Sequence, residues 1–250
     1  MRPSWQQGPA TLVLVRHGES VGNRADAAAR SAGAEMLDLP QRDADVELSD
    51  TGREQARALR RWLLRCPAAH RPTVAVASPY RRTADTAALA LEGLGLSVEQ
   101  DERLRERDLG LLDRLTSAGV RARLPQEAAR RRHLGKFYYR PPSGESWADV
   151  ALRVRSLLHD LAAGYDGERV WLFTHQAVIM SFRYVLEGIG EADLLALDRQ
   201  VRIPNTSLTT YRRTGRHLAL AAFADTTAID HSPAEVTREP PETARSADAS

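Results

Sequence analysis

The chain has 250 residues, 42% hydrophobic and 27% charged, a composition that suits one sizeable globular domain with a full core. Its formal net charge is +2 and no apolar run reaches the length of a membrane span, so neither a general nucleic-acid binder nor a transmembrane protein is expected. Cys66 is the sole cysteine, which excludes an internal disulfide and a multi-cysteine metal site and suits a reducing, cytoplasmic setting.

Residues 1–10 read as an N-terminal extension without the apolar region of a signal peptide. Thr11-Leu12-Val13-Leu14-Val15 is rich in β-branched residues and too brief for a buried helix, which predicts a strand covered on both faces. It stops at Arg16-His17-Gly18. Residues 19–47 read as a polar excursion with a short alanine-rich helix over 25–34. A helix is predicted over 50–66, where Ala56, Leu59, Trp62, Leu63 and Cys66 share one face. Ser49 or Thr51 can cap it, and Pro67 ends it. Residues 73–77 predict a second strand, followed by Ser78-Pro79 and a helix over 81–91. A weaker third strand is predicted at 96–98. Residues 101–145 read as irregular and hold the densest basic cluster. Ser146 and Asp149 have capping-box spacing, opening a helix whose Val150, Val154, Leu157, Leu158 and Leu161 form a stripe. A fourth strand over 169–174 ends at His175, with helices to about 187 and over 191–197. Residues 207–211 and 218–222 suggest a terminal pair of strands. From about 226 apolar periodicity is lost, and Pro233, Pro240 and Pro241 among polar residues predict a disordered tail to 250. Strands alternating with helices predict a three-layer α/β/α sandwich around a mostly parallel sheet.

In such a sheet, ligands bind beyond the carboxyl ends of the strands. Three strand ends carry reactive types: Arg16-His17, then Ser78 to Arg82, then His175. Guanidinium groups match phosphate geometry in bidentate fashion, and their charge favours the neutral imidazole that alone can attack phosphorus. The pattern therefore suits phosphoryl transfer through a phosphohistidine, with positive charge stabilising the transition state. A carboxylic acid kept protonated beside the phosphate would supply the leaving group's proton.

Arg16-His17-Gly18-Glu19-Ser20 with Asn23 is followed by Leu48-Ser49 and Gly52, then by Ser78-Pro79, Arg82 and Thr86-Ala87. Leu104, Glu106 and Gly110 come next, then Gly144-Glu145-Ser146 and finally Thr174-His175. These motifs, in this order over residues 11–225, resemble the histidine phosphatase (phosphoglycerate mutase-like) superfamily. The resemblance implies that fold and a phosphatase without metal or cofactor acting on a small phosphorylated substrate. It makes His17 the phosphorylated nucleophile and Glu106 the proton donor and later base. Arg16, Arg82 and His175 would hold the phosphoryl oxygens, with Asn23 helping. Arg81 and Asp108 stand as register alternatives to Arg82 and Glu106.

Lys136 to Ser146 and His175-Gln176-Ala177-Val178 are similar to the fructose-2,6-bisphosphatase module. By that resemblance, Arg132 and Lys136, on a lid at 111–143, and Gln176, directly after the second histidine, would contact a second, non-reacting anion. The alternative is that Arg130-Arg131-Arg132 is a solvated face. Ser117 and Met180 replace a tyrosine and an arginine of that module, no kinase-type glycine-rich loop is present, and the connection from Asn23 to Leu48 is longer than usual. A phosphoglycerate mutase and a non-catalytic phospho-ligand module are the competing readings. No nucleic-acid or membrane partner is expected, and the oligomeric state stays open, a homodimer included.

Overall fold

The structure, a computed structural model, describes residues 3, 5, 7–230, 232 and 234–239. In chain order its elements are β1 (Thr11–Arg16), α1 (Val21–Ser31), α2 (Asp50–Arg65), β2 (Val74–Ala77), α3 (Arg81–Leu91) and β3 (Val98–Gln100). There follow α4 (Ser117–Arg123), α5 (Pro125–Tyr138), α6 (Trp147–Gly164), β4 (Arg169–Thr174), α7 (Gln176–Glu187) and α8 (Glu191–Gln200). The hairpin β5 (Leu208–Thr214) and β6 (His217–Asp225) and the short α9 (Thr227–Asp230) complete the set.

The six strands form one sheet in the order β3-β2-β4-β1-β5-β6. β3, β2, β4 and β1 are parallel, while β5 and β6 join antiparallel. The apolar run of β1 is split by the pleat: Leu12 and Leu14 pack with α6 and α7, whereas Val13 and Val15 pack with α2 and α3. Both faces of the sheet are thus covered, and the fold is the predicted three-layer sandwich.

The register decides where the site lies. β4 returns between β2 and β1, and Arg16 pairs with Thr174 while Ala77 pairs with Phe173. The three chain segments leaving these strands, beginning at His17, Ser78 and His175, therefore emerge side by side.

Two stretches differ from the expectations. α1 starts at Val21 rather than near 25, because Ser20 and Asn23 form a reciprocal capping box. Residues 101–145 are not irregular throughout: they hold α4 and α5, packed around a small core of Leu112, Val120 and Tyr139. Gly135, at φ 77°, kinks α5 and breaks the periodicity that would have marked it. The N-terminal extension is tied down by Trp5, which is buried and donates its backbone N–H to Arg216 O at 2.8 Å.

The disordered tail is the main correction. Residues 240–250 lie outside the described residues, but α9 and residues 234–239 run back over the domain. Ile229 and Ala234 pack against Ala58 of α2, and the buried Gln55 donates to Glu235 O at 2.7 Å and Thr237 Oγ1 at 2.8 Å. Burial of Ile229 and its neighbours plus these hydrogen bonds is worth about 3–5 kcal/mol. Deleting 226–250 is accordingly expected to lower Tm by roughly 10 °C in a thermal melt. An unchanged Tm would show that the segment contributes no stability.

Candidate active site

β1 hands the chain to a tight loop gripped by α2. Ser49, the N-cap of α2, accepts from Gly52 N at 3.0 Å and donates to Glu19 Oε1 at 2.6 Å. Gly52 approaches so closely that an added Cβ would lie 1.9 Å from Glu19 O, so the position excludes any side chain. Gln55 Oε1 accepts from Glu19 N at 2.8 Å, and Asn205 Nδ2 donates to His17 O at 3.0 Å. The loop carrying His17 is thus fixed by two side chains, one from α2 and one from the segment before β5.

His17 is buried, and its Nδ1 sits 2.7 Å from Gly18 O. A carbonyl oxygen only accepts, so Nδ1 carries the proton and Nε2 keeps its lone pair. Burial, followed by the charges of Arg82 and Arg16, holds the imidazole well below its ordinary pKa, outweighing the opposing Gly18 hydrogen bond. At neutral pH the ring is neutral.

The ring of His175 lies 5.1 Å from that of His17 between centroids. Its Nε2 is 2.9 Å from Ser78 Oγ and 3.1 Å from Thr83 Oγ1. Nδ1 is buried without a partner, and in the tautomer in which a hydroxyl donates to Nε2 it is Nδ1 that carries the proton. An orphaned buried donor is costly, and an anionic oxygen would satisfy it. Burial first, then Arg82, lowers the pKa of His175 as well.

Both arginines are buried and already engaged by carboxylates. Arg16 donates to Ile203 O and to Glu239 Oε1, and its Nε has no partner. Arg82 donates through Nη1 to Asp43 O at 2.6 Å and through Nη2 to Asp43 Oδ2 at 3.2 Å. Asn23 Nδ2 donates to Glu239 Oε1 at 3.0 Å. Arg81 by contrast is half-exposed and pairs with Glu47, so of the two register alternatives it is Arg82 that lines the cleft.

The cleft has a volume of about 490 Å³ and is lined by His17, Asn23, Tyr80, Arg82 and Glu106. Glu106 Oε1 accepts from Arg107 N at 2.8 Å. Burial raises its pKa, further assisted by the charges of Glu239 and Asp43, against the Arg107 hydrogen bond and Arg82. Asp108, also on the cleft, is exposed and spends Oδ1 on Gly110 N at 2.8 Å.

A second pocket of about 190 Å³ adjoins Glu106 and holds Lys136, Trp147, Gln176 and Arg202. Trp147 Nε1, Gln176 Oε1 and Arg202 Nε are buried without partners. Lys136 donates to the buried Asp198 Oδ2 at 2.9 Å. Arg132 is not part of this pocket. It is exposed on α5, and the kink at Gly135 destroys the four-residue helical register that would have stacked it over Lys136.

Sequence reasoning missed Asp43, Ser78 and Thr83 as partners of the arginine and second histidine, and missed Asn205, Arg202 and Glu239 altogether. Ser78 stood in a quoted motif. No local signal marks the others.

Residues 12–226 match the histidine phosphatase superfamily, branch 1, and the chain belongs to that family. Within it, the chain is 36% identical over 186 residues to a glucosyl-3-phosphoglycerate phosphatase of Mycolicibacterium vanbaalenii, covering 71% of this chain and 74% of that protein. A solved mycobacterial glucosyl-3-phosphoglycerate phosphatase in complex with VO3 superimposes with a TM-score of 0.68 at 30% identity, covering 86% of this chain and 99% of that one. The chain is also 32% identical over 172 residues to chicken 6-phosphofructo-2-kinase/fructose-2,6-bisphosphatase, covering 68% of this chain and 31% of that protein.

Proposed function

We propose that the protein is a phosphoric monoester hydrolase that works through a phosphohistidine on His17. The observation that carries this reading is the orientation of His17, whose Nδ1–H is spent on Gly18 O so that Nε2 is the nucleophile. In the first step the Nε2 lone pair attacks phosphorus and the bond to the leaving oxygen breaks. Glu106, protonated, gives its proton to that oxygen. In the second step Glu106, now a carboxylate, takes a proton from water as the water oxygen attacks phosphorus. The P–N bond breaks and neutral His17 returns. Arg16, Arg82, Asn23 and the orphaned Nδ1 of His175 hold the phosphoryl oxygens.

For the leaving group we propose a sugar-bearing molecule with a second anion. The pocket beside Glu106 offers an unpartnered donor, Trp147 Nε1, and an unpartnered acceptor, Gln176 Oε1, which suit hydroxyl groups. Its four cations Arg30, Arg107, Lys136 and Arg202 exceed its three acids Glu106, Asp198 and Glu239 by one, and Glu106 is the acid held protonated in this reading, which suits a carboxylate or second phosphate. Similarity to a glucosyl-3-phosphoglycerate phosphatase favours the carboxylate. Met180 is fully buried in the apolar core, so an arginine's contact with a sugar bisphosphate is absent at that position. Among the described residues no helix is long and apolar enough to cross a membrane, and we assign the enzyme to the cytoplasm on its single, partly buried thiol.

Purified protein is expected to release phosphate from p-nitrophenyl phosphate without added metal; no release from folded protein across pH 5–8 would overturn the reading. Lys136→Ala should raise KM for glucosyl-3-phosphoglycerate roughly tenfold, the loss of one charge-assisted contact, and leave p-nitrophenyl phosphate within about twofold. Equal effects on both would refute the second-anion pocket. Isomerisation of 3-phosphoglycerate primed by 2,3-bisphosphoglycerate, if it outpaced hydrolysis, would favour the mutase alternative instead.

A further inference from the structure

The phosphate pocket is occupied by the chain's own carboxylate. Arg16 is fully buried, and its terminal nitrogens are taken by Ile203 O and Glu239 Oε1. The same Glu239 oxygen accepts from Asn23 Nδ2. Two of the groups assigned to phosphoryl oxygens are therefore paired with a residue 216 or more positions away in sequence. A carboxylate presents a guanidinium with the same paired-acceptor chemistry as one face of a phosphoryl group.

The segment that carries Glu239 is built into the catalytic loop rather than laid across it. Gln55, which accepts from Glu19 N, donates to Glu235 O and Thr237 Oγ1. Asn205, which donates to His17 O, also donates its backbone N–H to Thr237 O at 3.0 Å and accepts from Thr237 Oγ1 at 3.1 Å. The two side chains that position the loop thus anchor the strap two residues before Glu239. Beyond that anchor Glu239 has freedom that Arg16 lacks: its side chain is 32% exposed, against 0% for the arginine. The carboxylate can swing to solvent; the guanidinium cannot follow.

We propose that Glu239 is an intrasteric competitor, an internal pseudo-ligand that phosphate must displace from Arg16 and Asn23. The inference rests on the phosphatase reading of the pocket. A competitor on the same molecule lowers the apparent affinity of every ligand by one common factor, the inverse of the fraction of molecules with an open pocket. That common factor separates competition from a positioning role, in which loss of Glu239 would loosen Arg16 and weaken binding.

The test is Glu239→Gln in the full chain, which keeps the size and removes the charge, beside a chain ending at Arg238. Glu235→Gln, an exposed strap residue that contributes only its carbonyl to the anchor, is the charge-matched control. Both Glu239 variants are expected to lower Kd for inorganic phosphate by calorimetry and KM for p-nitrophenyl phosphate by the same factor, roughly tenfold, while the control stays within about twofold of wild type. Unchanged or weakened binding in folded Glu239 variants, or unequal factors for the two ligands, would overturn the proposal. If wild type neither bound phosphate nor turned over the ester, the phosphatase reading would fall and this inference with it. If wild type did both and the variants did not respond, only the competitor role would fall.

Discussion

Replacement of His17 by alanine is expected to reduce turnover of p-nitrophenyl phosphate by at least about 10⁴-fold, because the variant loses the nucleophile and with it the two-step route. Rapid alkaline quench of wild type with labelled substrate should trap phosphate on nitrogen, since phosphohistidine survives base and not acid. The variant should trap none. His175→Ala should be weaker in turnover yet still form the adduct, because its Nε2 is engaged with Ser78 and Thr83 and only Nδ1 is left to donate to an oxygen. Adduct formation in His17→Ala, or its loss only in His175→Ala, would reverse the two roles.

The pH dependence carries a sign that follows from the same geometry. In the proposed mechanism His17 must be neutral to attack, and burial together with Arg82 and Arg16 holds its pKa well below 6.5. The acid limb of kcat/KM should consequently lie below the ordinary histidine range. The same lowering acts on stability. Above pH 6.5 both folded and unfolded states keep the ring neutral; as pH falls below that value only the unfolded state binds the proton, and stability is lost.

How much of this was legible in the sequence depends on whether a feature is local. β1, β4 and the helix caps at Ser49 and Ser146 are written in short patterns, and the parallel register of β1 with β4 then brings His17 and His175 together. The lid was less legible, because α5 lacks a one-sided apolar stripe and turns at Gly135. Arg132, which the resemblance paired with Lys136, lies outside the second pocket, on the far side of that turn. The strap was not legible at all. Ile229, Ala234 and Glu239 show no periodicity, and their partners Ala58, Gln55 and Arg16 are more than 170 residues distant. Composition marks such a segment as tail-like, and only the fold shows that a buried glutamine and asparagine are waiting for its backbone.

Glu106→Gln should have an effect graded by the leaving group. Burial raises the Glu106 pKa, with Glu239 and Asp43 adding to it, and an incoming phosphate dianion adds further like charge. The protonated acid matters most where the departing oxygen is basic. For glucose 6-phosphate, kcat/KM is expected to fall by about 10²–10⁴, the range for a lost general acid. For p-nitrophenyl phosphate, whose leaving group needs no proton, phosphorylation should slow by less than about tenfold. In the proposed mechanism hydrolysis of the phosphoenzyme still needs Glu106 as base, so the variant should show a burst of p-nitrophenolate and accumulate phosphohistidine. Asp108→Asn is the control, since that carboxylate is exposed and bonded to the Gly110 amide. A Glu106→Gln enzyme equal to wild type on glucose 6-phosphate would remove Glu106 from the mechanism. A graded loss in Asp108→Asn instead would move the acid two residues along the same loop.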